Sequence, residues 1–133
     1  MGEPLPVVLV EDDAHIADLV SLYLDQSGFR VYRADNGRDG LRVIDERQPR
    51  LVILDVGLPE GDGFSVVEWM RGEPTLRDTP LLVYSAADLT SSDHDRLRLG
   101  RTIFLTKSRA SFPELEKCVL SLIRDSEEVE GAA

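Results

Sequence analysis

Cysteine is nearly missing from this sequence of 133 residues. Cys118 stands alone, so no internal disulfide can form, and the chain fits a reducing compartment. Its spacing from Leu115 and Leu122 predicts a thiol packed on the inner face of a helix. Also missing is any apolar run near the roughly 20 residues of a membrane span, and the N-terminus shows no basic-then-apolar leader. The expectation is a cytoplasmic protein without membrane contact. Basic residues are scarce: 15 Lys and Arg stand against 25 Asp and Glu, a formal net charge of −10. That balance argues against direct nucleic-acid binding and favours cations and partners with basic patches. No low-complexity linker or internal repeat interrupts the chain. Its 42% hydrophobic and 30% charged content suits one globular domain with a single sizeable core. The stretch 127–133 is acidic and poor in large apolar residues. The domain is therefore expected to occupy 1–126, followed by a disordered acidic tail.

What is present is alternation. Five apolar runs read as strands: Val7–Val10, Arg30–Ala34, Leu51–Asp55, Leu81–Ser85 and Thr102–Thr106. Helical patterns separate them. Ile16, Leu19, Val20, Tyr23 and Leu24 make an amphipathic stripe, and Gly28 supplies its stop. A second helix is predicted over Arg38–Arg47 and a third over Phe64–Arg71. A fourth lies somewhere in Leu89–Leu99, polar nearly all round at Ser91-Ser92-Asp93-His94-Asp95 and so thinly packed. Ser111 and Glu114 form a capping-box pattern that opens the fifth, with Pro113 in its first turn. Strands apolar on both faces and separated by helices imply an α/β fold with a parallel sheet covered on both sides. Ligands of such sheets sit outside the carboxyl ends of the strands. That rule collects Glu11-Asp12-Asp13, Asp55, Ser85 and Lys107 on one rim.

Crowded carboxylates repel one another, and a cation is their natural neutraliser. The candidate ligands are oxygens, with only His15 nearby as a softer group, which favours Mg²⁺. Lys107 adds a mobile positive charge and Ser85 a hydroxyl donor. Together these groups suit an incoming phosphoryl group, with Asp55 as the attacking carboxylate and an acyl phosphate as the product.

Four motifs extend this reading: Val-Leu-Val-Glu-Asp-Asp at 8–13, Leu-Asp-Val-Gly-Leu-Pro at 54–59 with Asp62-Gly63, Tyr-Ser-Ala at 84–86, and Phe-Leu-Thr-Lys at 104–107. Ser85 follows Asp55 by 30 positions and Lys107 follows it by 52. In these motifs and spacings the chain resembles the receiver domain of two-component response regulators over residues 5–125. The resemblance implies a flavodoxin-like (βα)5 doubly wound sheet in strand order 2-1-3-4-5. It makes Asp55 the phosphoacceptor and Ser85 and Lys107 the groups that hold the phosphoryl. It also implies Mg²⁺ held by Glu11, Asp12, Asp55 and the Gly57 backbone carbonyl, Asp12 directly and Glu11 through water. Phe104 matches the aromatic switch position beside Ser85. The implied partners are a sensor histidine kinase or histidine phosphotransfer protein and an output protein that the sequence does not name. Homodimerisation is left open.

Three departures carry expectations of their own. Ser108 stands where the family commonly has proline, so a trans Lys107–Ser108 bond or a shifted loop is expected. Phe104 replaces the commoner tyrosine, so switching would rest on ring burial. Gly57 and Ala87 leave small side chains at positions that tune phosphoryl lifetime.

Simpler readings stand beside these. Asp13 is expected to cap the first helix rather than bind metal. His15, His94 and Trp69 are read as surface or helix-covering residues. An aspartate-nucleophile phosphatase would need a second acid two residues after Asp55, where Gly57 stands. A flavin carrier would need a hydroxyl- and glycine-rich phosphate loop in place of Glu11-Asp12-Asp13. A phosphorylation-independent interaction module remains the alternative. The expectation is thus a signalling domain that turns over nothing but its own phosphoryl group, as a stand-alone receiver, a relay intermediate or part of a larger protein.

Overall fold

The computed structural model describes residues 3–58, 63–86 and 88–132, with the backbone alone from 126 onward. Ten elements alternate among the described residues. They are β1 (Leu5–Val10), α1 (Ala14–Gln26), β2 (Phe29–Ala34), α2 (Gly37–Arg47), β3 (Leu51–Leu54), α3 (Gly63–Arg71), β4 (Leu81–Ser85), α4 (Ser91–Leu97), β5 (Thr102–Thr106) and α5 (Phe112–Ala132). The strands form one parallel sheet in the order β2-β1-β3-β4-β5. The expected architecture and strand order are therefore those observed.

Alternation of side chains along each strand divides the core in two. Val8, Val10, Val52, Leu54, Leu81 and Val83 face Ile44 of α2, Val66, Val67 and Met70 of α3, and Leu97 of α4. Val7, Leu9, Leu51, Ile53, Leu82 and Tyr84 face Ala17, Val20 and Leu24 of α1 and Leu115, Val119 and Leu122 of α5. Central strands buried on both faces explain why their sequences read as unbroken apolar runs. Each fully buried leucine stabilises the fold by about 1.5–3 kcal/mol relative to exposure.

The helix ends follow local chemistry. Asp13 accepts from the N–H groups of His15 and Ile16 (2.9 and 3.1 Å) and caps α1. Gly28, at φ 90°, turns the chain out of α1, and its carbonyl accepts the Leu5 N–H that starts β1. Ser111 Oγ accepts the Glu114 N–H at 3.2 Å, completing the cap read in the sequence for α5. The α5 backbone stays helical to Ala132, beyond the boundary drawn at 126; its glutamates are good helix formers.

Helix α4 is short, and Leu97 is its one buried side chain among the described residues. It is nevertheless anchored. Arg71 at the end of α3 donates to the carbonyls of Asp95 (2.8 Å) and Arg98 (2.9 and 2.6 Å). Arg96 pairs with Glu68 at 3.2 Å and lies 4.2 Å from the Phe64 ring centroid. Thr90 and Asp93 close a capping box at its start.

Gly63 presses the start of α3 onto the segment after β3. A methyl group there would stand 2.7 Å from Val56 Cα and 3.1 Å from the Asp55 carbonyl oxygen, both backbone atoms that cannot swing away. Gly63→Ala is expected to lower stability by about 1–3 kcal/mol in urea unfolding. Gly72→Ala, whose methyl would meet only Trp69 O at 3.5 Å, should change it by less than about 0.5 kcal/mol. Equal midpoints for the two variants would refute this account of the α3 packing.

Candidate functional site

Strand register assembles the site. Val10 pairs with Leu54, so Glu11 and Asp55, the next residue on each strand, emerge side by side. Strand order reverses here, with β2 on one side of β1 and β3 on the other. Ser85 pairs with Thr106, so Lys107 emerges next to the end of β4, and its N–H donates to the Ser85 carbonyl at 2.8 Å.

The side chains converge as the topology demands. Carboxylate oxygens of Glu11, Asp12 and Asp55 all lie within 4.8 Å of one another. Glu11 (3% exposed), Asp55 (8%) and Ser85 (4%) are buried, whereas Asp12 opens to solvent. Asp55 Oδ1 accepts the Gly57 N–H at 3.0 Å, and Asp55 Oδ2 accepts from Lys107 Nζ at 3.1 Å. Lys107 Nζ also stands 2.5 Å from Glu11 Oε1. That contact is a close, buried ion pair, so Lys107 bridges the carboxylates of Glu11 and Asp55. Glu11 Oε2 accepts the Asp13 N–H at 3.2 Å. Glu11 and Asp12 also line an open cavity of about 370 Å³ that includes Arg33 and Arg42.

Three carboxylates and one ammonium leave a surplus of negative charge in a small volume. Burial pushes the Glu11 carboxyl above its usual range, the Lys107 ammonium and the Asp13 N–H pull it part of the way back, and the Asp55 charge adds to the rise. Burial by itself would lower Lys107, but the carboxylates of Glu11 and Asp55 outweigh it and hold the ammonium above its ordinary value. The donors are all carboxylate oxygens within 4.8 Å of one another, and those of Glu11 and Asp55 belong to buried side chains. A hard divalent cation such as Mg²⁺ fits that set.

The structure thus brings Glu11, Asp12, Asp55 and Lys107 together, sets the Gly57 N–H rather than its carbonyl on Asp55, ends β4 with Ser85 beside Lys107, and leaves Asp13 to its helix cap. Pro59, Asp62 and Ala87 lie outside the described residues. The Lys107–Ser108 bond is trans, and the loop closes through Arg109 and Ala110 N–H groups donating to the Thr106 carbonyl (3.0 and 3.1 Å). Phe104 is half-buried against the core on the α3–α4 side. One contact had no signal in the sequence: His94 of α4 stacks on the Phe104 ring with centroids 4.0 Å apart and planes 7° from parallel. Spacing alone could not place a polar helix residue on a ring of β5.

A family model described as response regulator receiver domain matches residues 7–119. The transcriptional regulatory protein GltR of Pseudomonas aeruginosa is 36% identical over 104 residues, which are 76% of this chain and 42% of GltR. The chain therefore spans less than half of that relative. The polar-differentiation response regulator DivK of Brucella anthropi is 28% identical over 92% of this chain and 99% of DivK. In fold, the chain is similar to the receiver domain of the sensor histidine kinase PA1611 from Pseudomonas aeruginosa, solved with a magnesium ion in its active-site cleft. That likeness has a TM-score of 0.79 at 23% identity and covers 90% of this chain and 98% of that one.

Proposed function

Because the chain belongs to the response regulator receiver domain family of two-component signalling, we propose that it accepts a phosphoryl group on Asp55 and passes the signal on by a change of surface. The observation that carries this reading is the meeting of Glu11, Asp12 and Asp55 within 4.8 Å, with Lys107 Nζ 3.1 Å from Asp55 Oδ2. The donor would be a phosphohistidine on a sensor kinase or a histidine phosphotransfer protein, with small acyl phosphates as substitutes.

Each residue has a task in the transfer. Asp55 Oδ attacks phosphorus as the bond from phosphorus to the donor nitrogen, or to the acyl oxygen, breaks. The Gly57 N–H on Asp55 Oδ1 fixes the carboxylate plane and leaves the other oxygen, now facing Lys107, for the attack. Lys107 exchanges its carboxylate contacts for the phosphoryl oxygens, and the Ser85 hydroxyl donates to another of them. Glu11, Asp12, Asp55 and the Gly57 carbonyl are the groups that would hold Mg²⁺, whose bound charge would neutralise the phosphoryl oxygens. The magnesium in the PA1611 receiver supports that assignment by analogy of fold. Ser85 moving toward the phosphoryl and Phe104 turning inward would then remodel α4, β5 and the start of α5, the surface offered to the output partner.

The test uses intact-mass measurement after incubation with acetyl phosphate. One phosphoryl group should be gained with Mg²⁺ present, and the initial rate should fall by at least about a hundredfold with a chelator. A chain modified equally well in both conditions would overturn the metal assignment. A chain modified by neither acetyl phosphate nor any phosphohistidine donor would overturn the function.

A further inference from the structure

We propose that His94 is a positioning residue: its imidazole holds the Phe104 ring in the resting place seen here, so that His94 sets how readily the domain enters its phosphorylated arrangement. The inference rests on the phosphoacceptor reading above and deepens it. Phe104 lies on β5 in register with Val83, and its ring faces the side of the sheet covered by α3 and α4. There His94 covers it, with ring centroids 4.0 Å apart and planes 7° from parallel, and the Arg98 guanidinium carbon lies 5.7 Å from the same ring centroid.

The stack matters because His94 cannot drift away with a loosely held helix. The two residues that follow it on α4 are tied to α3, Asp95 through its carbonyl to Arg71 and Arg96 to Glu68 and Phe64. Arg71 also grips the Arg98 carbonyl beyond the end of α4. The Thr90–Asp93 capping box fixes the turn that precedes His94. An inward turn of Phe104 must therefore break the ring contact, either by sliding off an anchored imidazole or by moving α4 against its bonds to α3. Contact present in one state and lost in the other shifts the equilibrium toward the first. Aromatic pairs of this kind shift an equilibrium by about two- to tenfold.

The experiment is a beryllofluoride titration of the full chain in Mg²⁺ at one fixed pH, followed through amide and Phe104 ring resonances. His94→Ala should bind beryllofluoride about two- to tenfold more tightly than the native chain. Its Phe104 ring resonances in the free state should also move toward their bound positions. His94→Phe, which restores a flat ring on the stack, should return both readouts to native values. Native affinity in His94→Ala, weaker binding, or a failure of His94→Phe to restore it would overturn the latch while leaving the phosphoacceptor reading intact. Absence of saturable binding by the native chain, or equal binding by Asp55→Asn, would overturn both.

Discussion

Asp55→Asn is expected to abolish phosphoryl incorporation, lowering the initial rate with acetyl phosphate and Mg²⁺ by at least about a hundredfold. The substitution is close to isosteric. A side-chain amide oxygen can still accept the Gly57 N–H that now meets Asp55 Oδ1 at 3.0 Å, so the turn after β3 should survive. What disappears is chemical. A neutral amide is a far poorer nucleophile toward phosphorus than a carboxylate, and the set of three anionic oxygens drops to two. The two losses can be separated with Asp12→Asn, which weakens the cation site and spares the nucleophile. Raising Mg²⁺ should recover much of the rate in Asp12→Asn and none of it in Asp55→Asn. The measurement is phosphoryl gain by intact mass across a Mg²⁺ series. A rate for Asp55→Asn close to native would exclude Asp55 as the acceptor. A rate recovered by Mg²⁺ alone would reduce Asp55 to a metal ligand.

Residues on the central strands carry most of what is legible in the sequence. Val7–Val10, Leu51–Leu54 and Leu81–Ser85 are buried along their whole length, so their apolar runs announced strands whose ends carry the acids and Ser85. A parallel sheet converts such strand ends into neighbours, which is why Glu11 and Asp55 could be paired across more than forty residues of sequence. Strand order itself is not encoded in periodicity; it came from resemblance in the motifs. Two helix starts are legible from local capping chemistry, at Asp13 and at Ser111–Glu114, whereas the Thr90–Asp93 capping box of α4 goes unread.

The fourth helix was legible only in part, for an instructive reason. Ser91 to Leu97 buries little, so its pattern is weak, as read. Its fixation comes from Arg71 and Glu68, long polar side chains of another helix reaching backbone and surface groups. Hydropathy patterning is blind to such contacts, because a solvated arginine and a bridging arginine look the same in sequence. The His94–Phe104 stack escaped notice for the same reason. Thin packing was a sound inference; ease of movement does not follow from it.

Lys107→Met should have the largest effect on stability, and one that depends on the metal. In the absence of divalent cations the ammonium is the chief counter-charge of the site, 2.5 Å from Glu11 Oε1 and 3.1 Å from Asp55 Oδ2, with the three side chains only 13%, 1% and 10% exposed. Methionine keeps the apolar stem and removes the charge, stranding two buried carboxylates beside each other. Removing one partner of a buried ion pair costs about 3–5 kcal/mol, and the solvent-facing edge of Asp55 places this site near the lower figure. Denaturation in chelator should therefore show a loss of about 3 kcal/mol. With Mg²⁺ the sign of the local balance reverses. Lys107 occupies the oxygens that a cation needs, and it repels that cation, so its removal should tighten Mg²⁺ binding by about tenfold or more. Saturating Mg²⁺ then adds stability in proportion to the logarithm of its concentration over the dissociation constant, and the gap between variant and native should narrow. Glu11→Gln in the same background removes one stranded charge and should recover part of the loss in chelator. The two contacts of Lys107 would be energetically idle if Lys107→Met matched the native chain in chelator. Unchanged Mg²⁺ affinity would show that the ammonium and the cation do not compete for the same carboxylates.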